Sequence, residues 1–69
     1  MPFYVYEIPS RGYREERNWG SEKEATSALK HVARRAVKDG ASNEDLMLMS
    51  EMKSGQKVFE GTIGQVLKP

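Results

Sequence analysis

The sequence predicts an α+β fold in which an antiparallel sheet of about four strands, in ββαββ order, carries one amphipathic helix on one face. Three observations lead to this expectation. Apolar residues recur at helical spacing in the middle of the chain, two strand-like runs precede them, and two more follow. The 69 residues contain no linker and no repeat, so a single domain is expected over residues 1–69, because independent domains rarely fall below about 50 residues.

The first two strands are predicted on either side of a short turn. Phe3–Ile8 is aromatic and β-branched and stops at Pro9, which cannot donate a backbone hydrogen bond to a sheet. Residues 9–12 have the composition of a turn. Tyr13–Trp19 alternates in a way that fits a partly exposed strand pairing back on the first, and a charged loop is the alternative.

The helix is predicted over residues 22–39. Ser21 and Glu24 have the spacing of a capping box, in which the hydroxyl and the carboxylate accept the first free N–H groups of the helix. The apolar stripe that follows is mostly alanine, which favours close packing on a sheet, and Gly40 supplies the left-handed residue that ends the helix. The stripe consists of Ala25, Ala28, Leu29, Val32, Ala33, Ala36 and Val37.

The last two strands are predicted at Leu46–Met52 and Lys57–Ile63. Between them, the segment around Gly55 has the composition of a hairpin turn, with glycine where a positive φ is needed. The tail, residues 64–69, is expected either to extend the last strand or to fray.

One helix covers only one face of a sheet, so apolar side chains on the other face are expected to be exposed and to bind a partner. We assign Tyr4, Tyr6, Met47 and Met49 to this uncovered face, where they would bind another protein, with a homodimer as the most ordinary form. Two alternatives stay open: the tail folds over this face, or the two faces are assigned the wrong way round.

The outer face of the helix is a second candidate surface, because no acidic residue interrupts it between Ala25 and Lys38. Such a face suits phosphates or an acidic protein surface, and the simpler alternative is a solvated helix face. A basic segment interleaved with Tyr13 and Trp19 precedes the helix and suits base stacking or a protein hot spot, although Trp19 also fits under the helix start. The candidate basic contacts are Lys30, Arg34, Arg35 and Lys38 on the helix and Arg11, Arg14 and Arg17 before it.

Catalytic function is not expected. His31 is the single histidine and cysteine is absent, so neither a thiolate zinc site nor a nucleophile–base pair is indicated, and we expect no metal, no cofactor and no catalytic residue. A chain of this size is also expected to have little room for a cavity of roughly 300–1,000 Å³. The longest apolar runs are far shorter than the roughly 18 residues that span a membrane, so a cytoplasmic protein with no membrane partner is predicted.

The stretch Glu24-Ala25-Thr26-Ser27 opens a helix with alanine and Lys/Arg periodicity, and a hairpin turning at Ser54-Gly55 follows. This arrangement resembles that of small phage-encoded anti-CRISPR inhibitors that act on type I surveillance complexes. The resemblance implies a viral protein in the host-cell cytoplasm that docks on a nucleic-acid-handling complex and blocks guide–target pairing. Lys30, Arg34 and Lys38 would then be candidate contacts.

The sequence therefore leads to a non-enzymatic binding module that occludes the surface of a partner protein or ribonucleoprotein complex. The alternatives are a direct DNA- or RNA-binding protein that uses the basic helix face, and a homodimeric structural or assembly factor.

Overall fold

The computed structural model describes residues 3–68 and has the predicted α+β architecture. Its elements are β1 (Phe3–Ile8), β2 (Tyr13–Asn18), α1 (Glu22–Lys38), β3 (Leu46–Glu51), β4 (Lys57–Thr62) and α2 (Ile63–Leu67), with a 3-10 turn at Pro9–Arg11. The four strands form one antiparallel sheet in the order β2-β1-β3-β4, so β1 and β3 are central and β2 and β4 are edges. For residues 13–19, where the sequence left a strand or a charged loop open, the strand is correct and ends at Asn18.

The two hairpin turns use glycine where the backbone enters the left-handed region. Gly12, at φ 65°, donates its N–H to Pro9 O at 3.1 Å and closes the β1–β2 turn. In the β3–β4 turn Gly55 has φ 73° and donates to Glu51 O at 2.8 Å. An L side chain is disfavoured at such φ values, which explains the choice of glycine.

Helix α1 begins and ends close to where its sequence predicts. Ser21 Oγ accepts the N–H of Glu24 at 3.2 Å, whereas the Glu24 carboxylate reaches past the cap to the N–H of Gly20, also at 3.2 Å, so the predicted reciprocal pair is displaced by one residue. At the other end Gly40, at φ 109°, donates to Val37 O and Ala41 donates to Ala36 O. These bonds occupy carbonyls that the end of a helix leaves without partners.

The assignment of the two sheet faces is wrong. Tyr4, Tyr6, Met47 and Met49 are buried beneath α1, with exposed fractions between 0% and 4%, and belong to the central hydrophobic core. Their long side chains fill the space between the sheet and a helix whose buried stripe is mostly alanine and contributes little volume. These four residues are therefore unavailable to a partner, and the uncovered face carries the opposite set of side chains.

The C-terminal segment is helical rather than an extended or frayed strand. Thr62 Oγ1 accepts the N–H of Gln65, and Gln65 Oε1 accepts the N–H of Thr62 at 2.9 Å, which is a complete capping box. Ile63 and Val66 are buried in the core, where α2 packs against α1 and β4. Pro69 lies outside the described residues. Within the described part of the chain, no helix combines the length and apolarity needed to cross a membrane.

Candidate functional site

The outer face of α1 carries a line of cationic side chains that we call the basic ridge. The ridge consists of Lys23, Lys30, Arg34 and Lys38, all of which are exposed. At 1.5 Å rise per residue it runs about 22 Å along the helix. Within residues 3–68 none of these side chains forms an ion pair with a carboxylate, so their charges face solvent without local compensation.

The charged side chains of the strands, unlike those of the basic ridge, form ion pairs. Three ion pairs occur among the described residues, and all lie on strands: Arg14 with Glu16, Arg17 with Glu15, and Lys57 with Glu60. Such exposed pairs contribute little to stability, but they cancel the field of their cations. The positive potential of the molecule is therefore concentrated on α1, where the sequence predicts a basic surface.

The three arginines that precede α1 do not form one patch. Alternation along β2 sends Arg14 to the uncovered sheet face, opposite Glu7, and Arg17 to the face beneath α1. Arg11 lies in the 3-10 turn and donates from Nη2 to the backbone carbonyl of Asp39 at 3.2 Å, at the end of α1. The predicted basic and aromatic segment is therefore dispersed over three parts of the surface, and of the three arginines Arg11 is the one that hydrogen-bonds to the end of α1.

A groove at the start of α1 is built around Trp19. The indole is half-buried against the core, which agrees with the interpretation that it packs under the helix start. It lines a depression of about 370 Å³ together with Ala28 and with the exposed side chains of Lys23 and His31. A large aromatic surface thus lies directly beside the first cation of the basic ridge.

A larger cleft lies at the other end of the same side of α1, between this helix and the start of β2. Its volume of about 490 Å³ contradicts the expectation that the fold has little room for a cavity. Ile8, Val32 and Ala36 form an apolar part of its lining, and polar groups complete it. The polar lining consists of Arg11, Arg35, Tyr13, Glu15 and Asp39. Arg35, predicted as a basic contact, therefore borders this cleft, one position away from Arg34 of the ridge.

A small hydrogen-bonded network sets the protonation states at this cleft. The Tyr13 hydroxyl donates to the Glu15 carboxylate, which also accepts from Arg17 Nε at 2.8 Å. The hydrogen bond from Tyr13, followed by those from Arg17, lowers the pKa of Glu15, against the opposing effect of its partial burial. Burial, and then the Glu15 carboxylate, raise the pKa of Tyr13 to about 12. At neutral pH Glu15 is charged and Tyr13 is neutral.

The arrangement suits binding rather than proton transfer. A general acid or base works best when its pKa lies near the working pH, and the network moves both Tyr13 and Glu15 away from neutrality. Among residues 3–68 no group of three or more His, Asp or Glu side chains is placed to hold a metal ion. What the cleft offers is guanidinium donors, one aromatic wall and an apolar floor.

Sequence reasoning missed the cleft because it forms between elements that are distant along the chain. Ile8 and Tyr13 come from the first hairpin, whereas Val32 and Ala36 come from the second half of α1. Tyr13 was the available signal: the hairpin register pairs it with Ile8, which places its ring on the helix side of the sheet.

Comparison with known proteins gives no relative: no family model, no curated protein and no solved structure matches the chain. The resemblance to small anti-CRISPR inhibitors therefore stays a prediction.

Proposed function

We propose that this chain is a non-enzymatic nucleic-acid-binding module that holds an extended single strand along α1. The observation that carries the proposal is the basic ridge, whose cations have no carboxylate partner within the described residues, beside two aromatic-lined depressions. The backbone of the strand lies along the ridge, and unstacked bases enter the side that faces β2.

The charge pattern supports a polyanionic ligand. A net charge of +1 is too small to attract nucleic acid by itself, but segregation of the cations on one helix face raises the local potential. A row of cations about 22 Å long displaces counterions along a phosphate backbone in a way that scattered surface lysines do not.

The aromatic side chains support a single strand over a duplex. Trp19 and Tyr13 line depressions at opposite ends of the same side of α1, about 20 Å apart along β2 at 3.4 Å per residue. Proteins that bind single strands combine a basic track with aromatic rings on which bases stack, and each stacked base contributes about 1–3 kcal/mol. In a duplex the bases are already stacked and do not reach these rings.

The alternative, occlusion of a partner protein through the sheet, no longer rests on the residues first assigned to it. Tyr4, Tyr6, Met47 and Met49 are buried in the core and touch no partner without unfolding. An acidic protein surface remains a competing ligand for the ridge, and the experiment below separates it from nucleic acid.

The test is the binding of a fluorescein-labelled, mixed-sequence single strand of DNA or RNA, followed by anisotropy as a function of salt. Neutralisation of about four phosphates predicts a fall in affinity of about 50-fold between about 50 and 200 mM salt. Emission from Trp19, the single tryptophan, is expected to change on binding. A duplex of the same sequence is expected to bind more weakly at equal salt.

The matched variants remove two positive charges from different places. The double variant Arg34→Gln/Lys38→Gln is expected to lose most of the affinity and about half of the salt slope, so its affinity falls only about 7-fold between about 50 and 200 mM salt. The control, Lys53→Gln/Lys57→Gln, removes the same charge from the β3–β4 hairpin and is expected to bind almost as well as the natural chain. Equal loss in both doubles, or competition by polyglutamate as effective as that by unlabelled oligonucleotide, would contradict the proposal.

A further inference from the structure

The cleft between α1 and β2 has an apolar floor and polar groups on both walls. Ile8 and Val32 belong to the core cluster and form part of the floor. The ring of Tyr13 and the carboxylate of Glu15 come from β2, whereas the guanidinium of Arg35 comes from α1. The volume of about 490 Å³ lies within the roughly 300–1,000 Å³ of pockets that bind small organic groups. The cleft is therefore large enough for a flat ring that rests on the floor.

The acceptor atoms of Glu15 are almost fully used inside the protein. Arg17 reaches Oε1 of this carboxylate with Nε and with Nη2, both at 2.8 Å, and the Tyr13 hydroxyl donates to Oε2. A carboxylate accepts about four hydrogen bonds, so about one position stays open to a ligand. The hydroxyl proton of Tyr13 is engaged in the same network. Glu15 therefore orients its two neighbours and offers a ligand little.

The guanidinium of Arg35, by contrast, is available to a ligand. Its side chain is exposed, and it forms no ion pair within residues 3–68. Arg11, the other guanidinium of the lining, donates from Nη2 to the backbone carbonyl of Asp39 at 3.2 Å and is held against the end of α1. The planar fork of Arg35 is therefore free to bind two adjacent acceptor atoms of a ligand.

An uncharged ring suits this cleft better than a phosphate group. The carboxylates of Glu15 and Asp39 both line the cleft and would repel a second anion. Arg34, the chain neighbour of Arg35, lies outside the cleft on the basic ridge, where a phosphate is attracted. A strand whose phosphates follow the ridge can therefore turn one base into the cleft, over the apolar floor and beside the ring of Tyr13.

We infer that the cleft binds a guanine base of the single strand through its O6 and N7 atoms, which Arg35 contacts with two parallel hydrogen bonds. This inference rests on the proposed function and adds a base preference to it. Guanine presents two adjacent acceptors on an edge that points away from its sugar, and arginine pairs with this edge more often than with any other. Adenine has an N6 amino group there, which would face the guanidinium donors. In thymine a donor separates the two acceptors, and in cytosine one of the two adjacent acceptors adjoins the sugar.

The test compares fluorescein-labelled thymine strands that differ in one central base, with anisotropy measured at one fixed salt concentration. Exchange of the central thymine for guanine is expected to raise the affinity about 10-fold, which is typical of one bidentate contact. Inosine, which keeps O6 and N7 but lacks the exocyclic amino group, is expected to give the same gain. The deaza analogue of guanine, which has a C–H group in place of N7, is expected to lose most of it. Adenine and cytosine are expected to bind like thymine.

Two variants make the same conservative change inside and outside the cleft. Arg35→Lys keeps the positive charge but loses the planar fork, so the gain from guanine is expected to disappear while the salt slope is unchanged. The control is Arg14→Lys, on the uncovered face of the sheet, which is expected to keep the gain in full. Circular dichroism establishes that both variants are folded.

The outcomes separate this inference from the proposed function. Strands that all bind with equal affinity would overturn the inference and leave the proposed function intact. A gain that is as large with adenine or cytosine as with guanine would overturn it as well, and so would a gain that survives Arg35→Lys or is lost in Arg14→Lys. If no strand binds at all, the proposed function fails and the inference fails with it.

Discussion

Tyr6 offers the sharpest test of how the sheet is fixed to the helix. Its side chain is fully buried in the central strand β1, and its hydroxyl donates to the backbone carbonyl of Ala25 near the start of α1 at 2.7 Å. Burial raises the pKa of Tyr6, and the nearby indole N–H of Trp19 partly opposes that rise. The same indole nitrogen is buried and makes no hydrogen bond of good geometry within the described residues. The phenolic oxygen of Tyr6 therefore interacts weakly with a buried donor that has no hydrogen-bond partner of good geometry.

The substitution Tyr6→Phe removes this oxygen and leaves the ring in place. Loss of a neutral hydrogen bond costs about 0.5–1.5 kcal/mol, and a buried donor left without an acceptor costs about 1–3 kcal/mol. Because Trp19 Nε1 is poorly bonded already, we expect a total near 2 kcal/mol. A chain of this size has roughly 3–5 kcal/mol of stability, so about half would be lost, with a fall in Tm of about 8–16 °C.

Tyr4→Phe is the matched control, because Tyr4 lies two residues away on the same strand and the same face. Its ring is buried, with 4% exposure, but its hydroxyl makes no hydrogen bond within residues 3–68 and is not a buried unsatisfied group. We expect its removal to cost less than about 0.5 kcal/mol. Urea unfolding followed by circular dichroism compares both variants with the natural chain. Equal losses, or a Tyr6→Phe variant as stable as the natural chain, would refute the role given to this hydrogen bond.

Two further predictions concern the edge strands β2 and β4. Because hydrogen bonding from Tyr13 lowers the folded-state pKa of Glu15, its stabilising contribution is present above the ordinary carboxyl value and lost as pH falls through the lower folded-state value. The acid-side decline in the urea midpoint should therefore be shallower in Glu15→Gln than in the natural chain, and parallel curves would contradict this. Gly61→Ala would place a Cβ 2.9 Å from Phe59 Cζ and closer still to Gln65 Oε1. It should therefore disrupt the α2 capping box and lower the free energy of unfolding by about 1–3 kcal/mol. An unchanged Tm would exclude this crowding.

The element order could be predicted because each element has a local signal. The cap at Ser21 and the glycine at Gly40 bracket α1, and turn residues separate the strands of both hairpins. The short helix α2 also had a signal, because Thr62 and Gln65 have capping-box spacing, but the β-branched and apolar residues beside them favoured a strand. Burial of Ile63 and Val66 in the core stabilises a helix of this length, which would not form alone.

The faces of the sheet could not be assigned from β1 or β3 alone. Alternation shows which side chains share a face, but Phe3 and Val5 are as apolar as Tyr4 and Tyr6, so neither set stands out as the core. The decisive information was in the edge strand, where Tyr13 is the one apolar residue of β2 and pairs with Ile8. A short turn fixes that register, so the face that Tyr13 shares with Ile8 is the buried one.

The basic ridge shows why the net charge is a poor guide to how charge is distributed over the surface. Arg14, Arg17 and Lys57 each have a carboxylate neighbour on their own strand, at a spacing set by alternation or by the bulge near Met49. Acidic residues on α1 are confined to its first turn, where the helix dipole favours them, so the rest of the helix is left basic. The near-neutral total therefore conceals one uncompensated face, and the proposed function predicts that neutralising this face weakens nucleic-acid binding while the fold is retained.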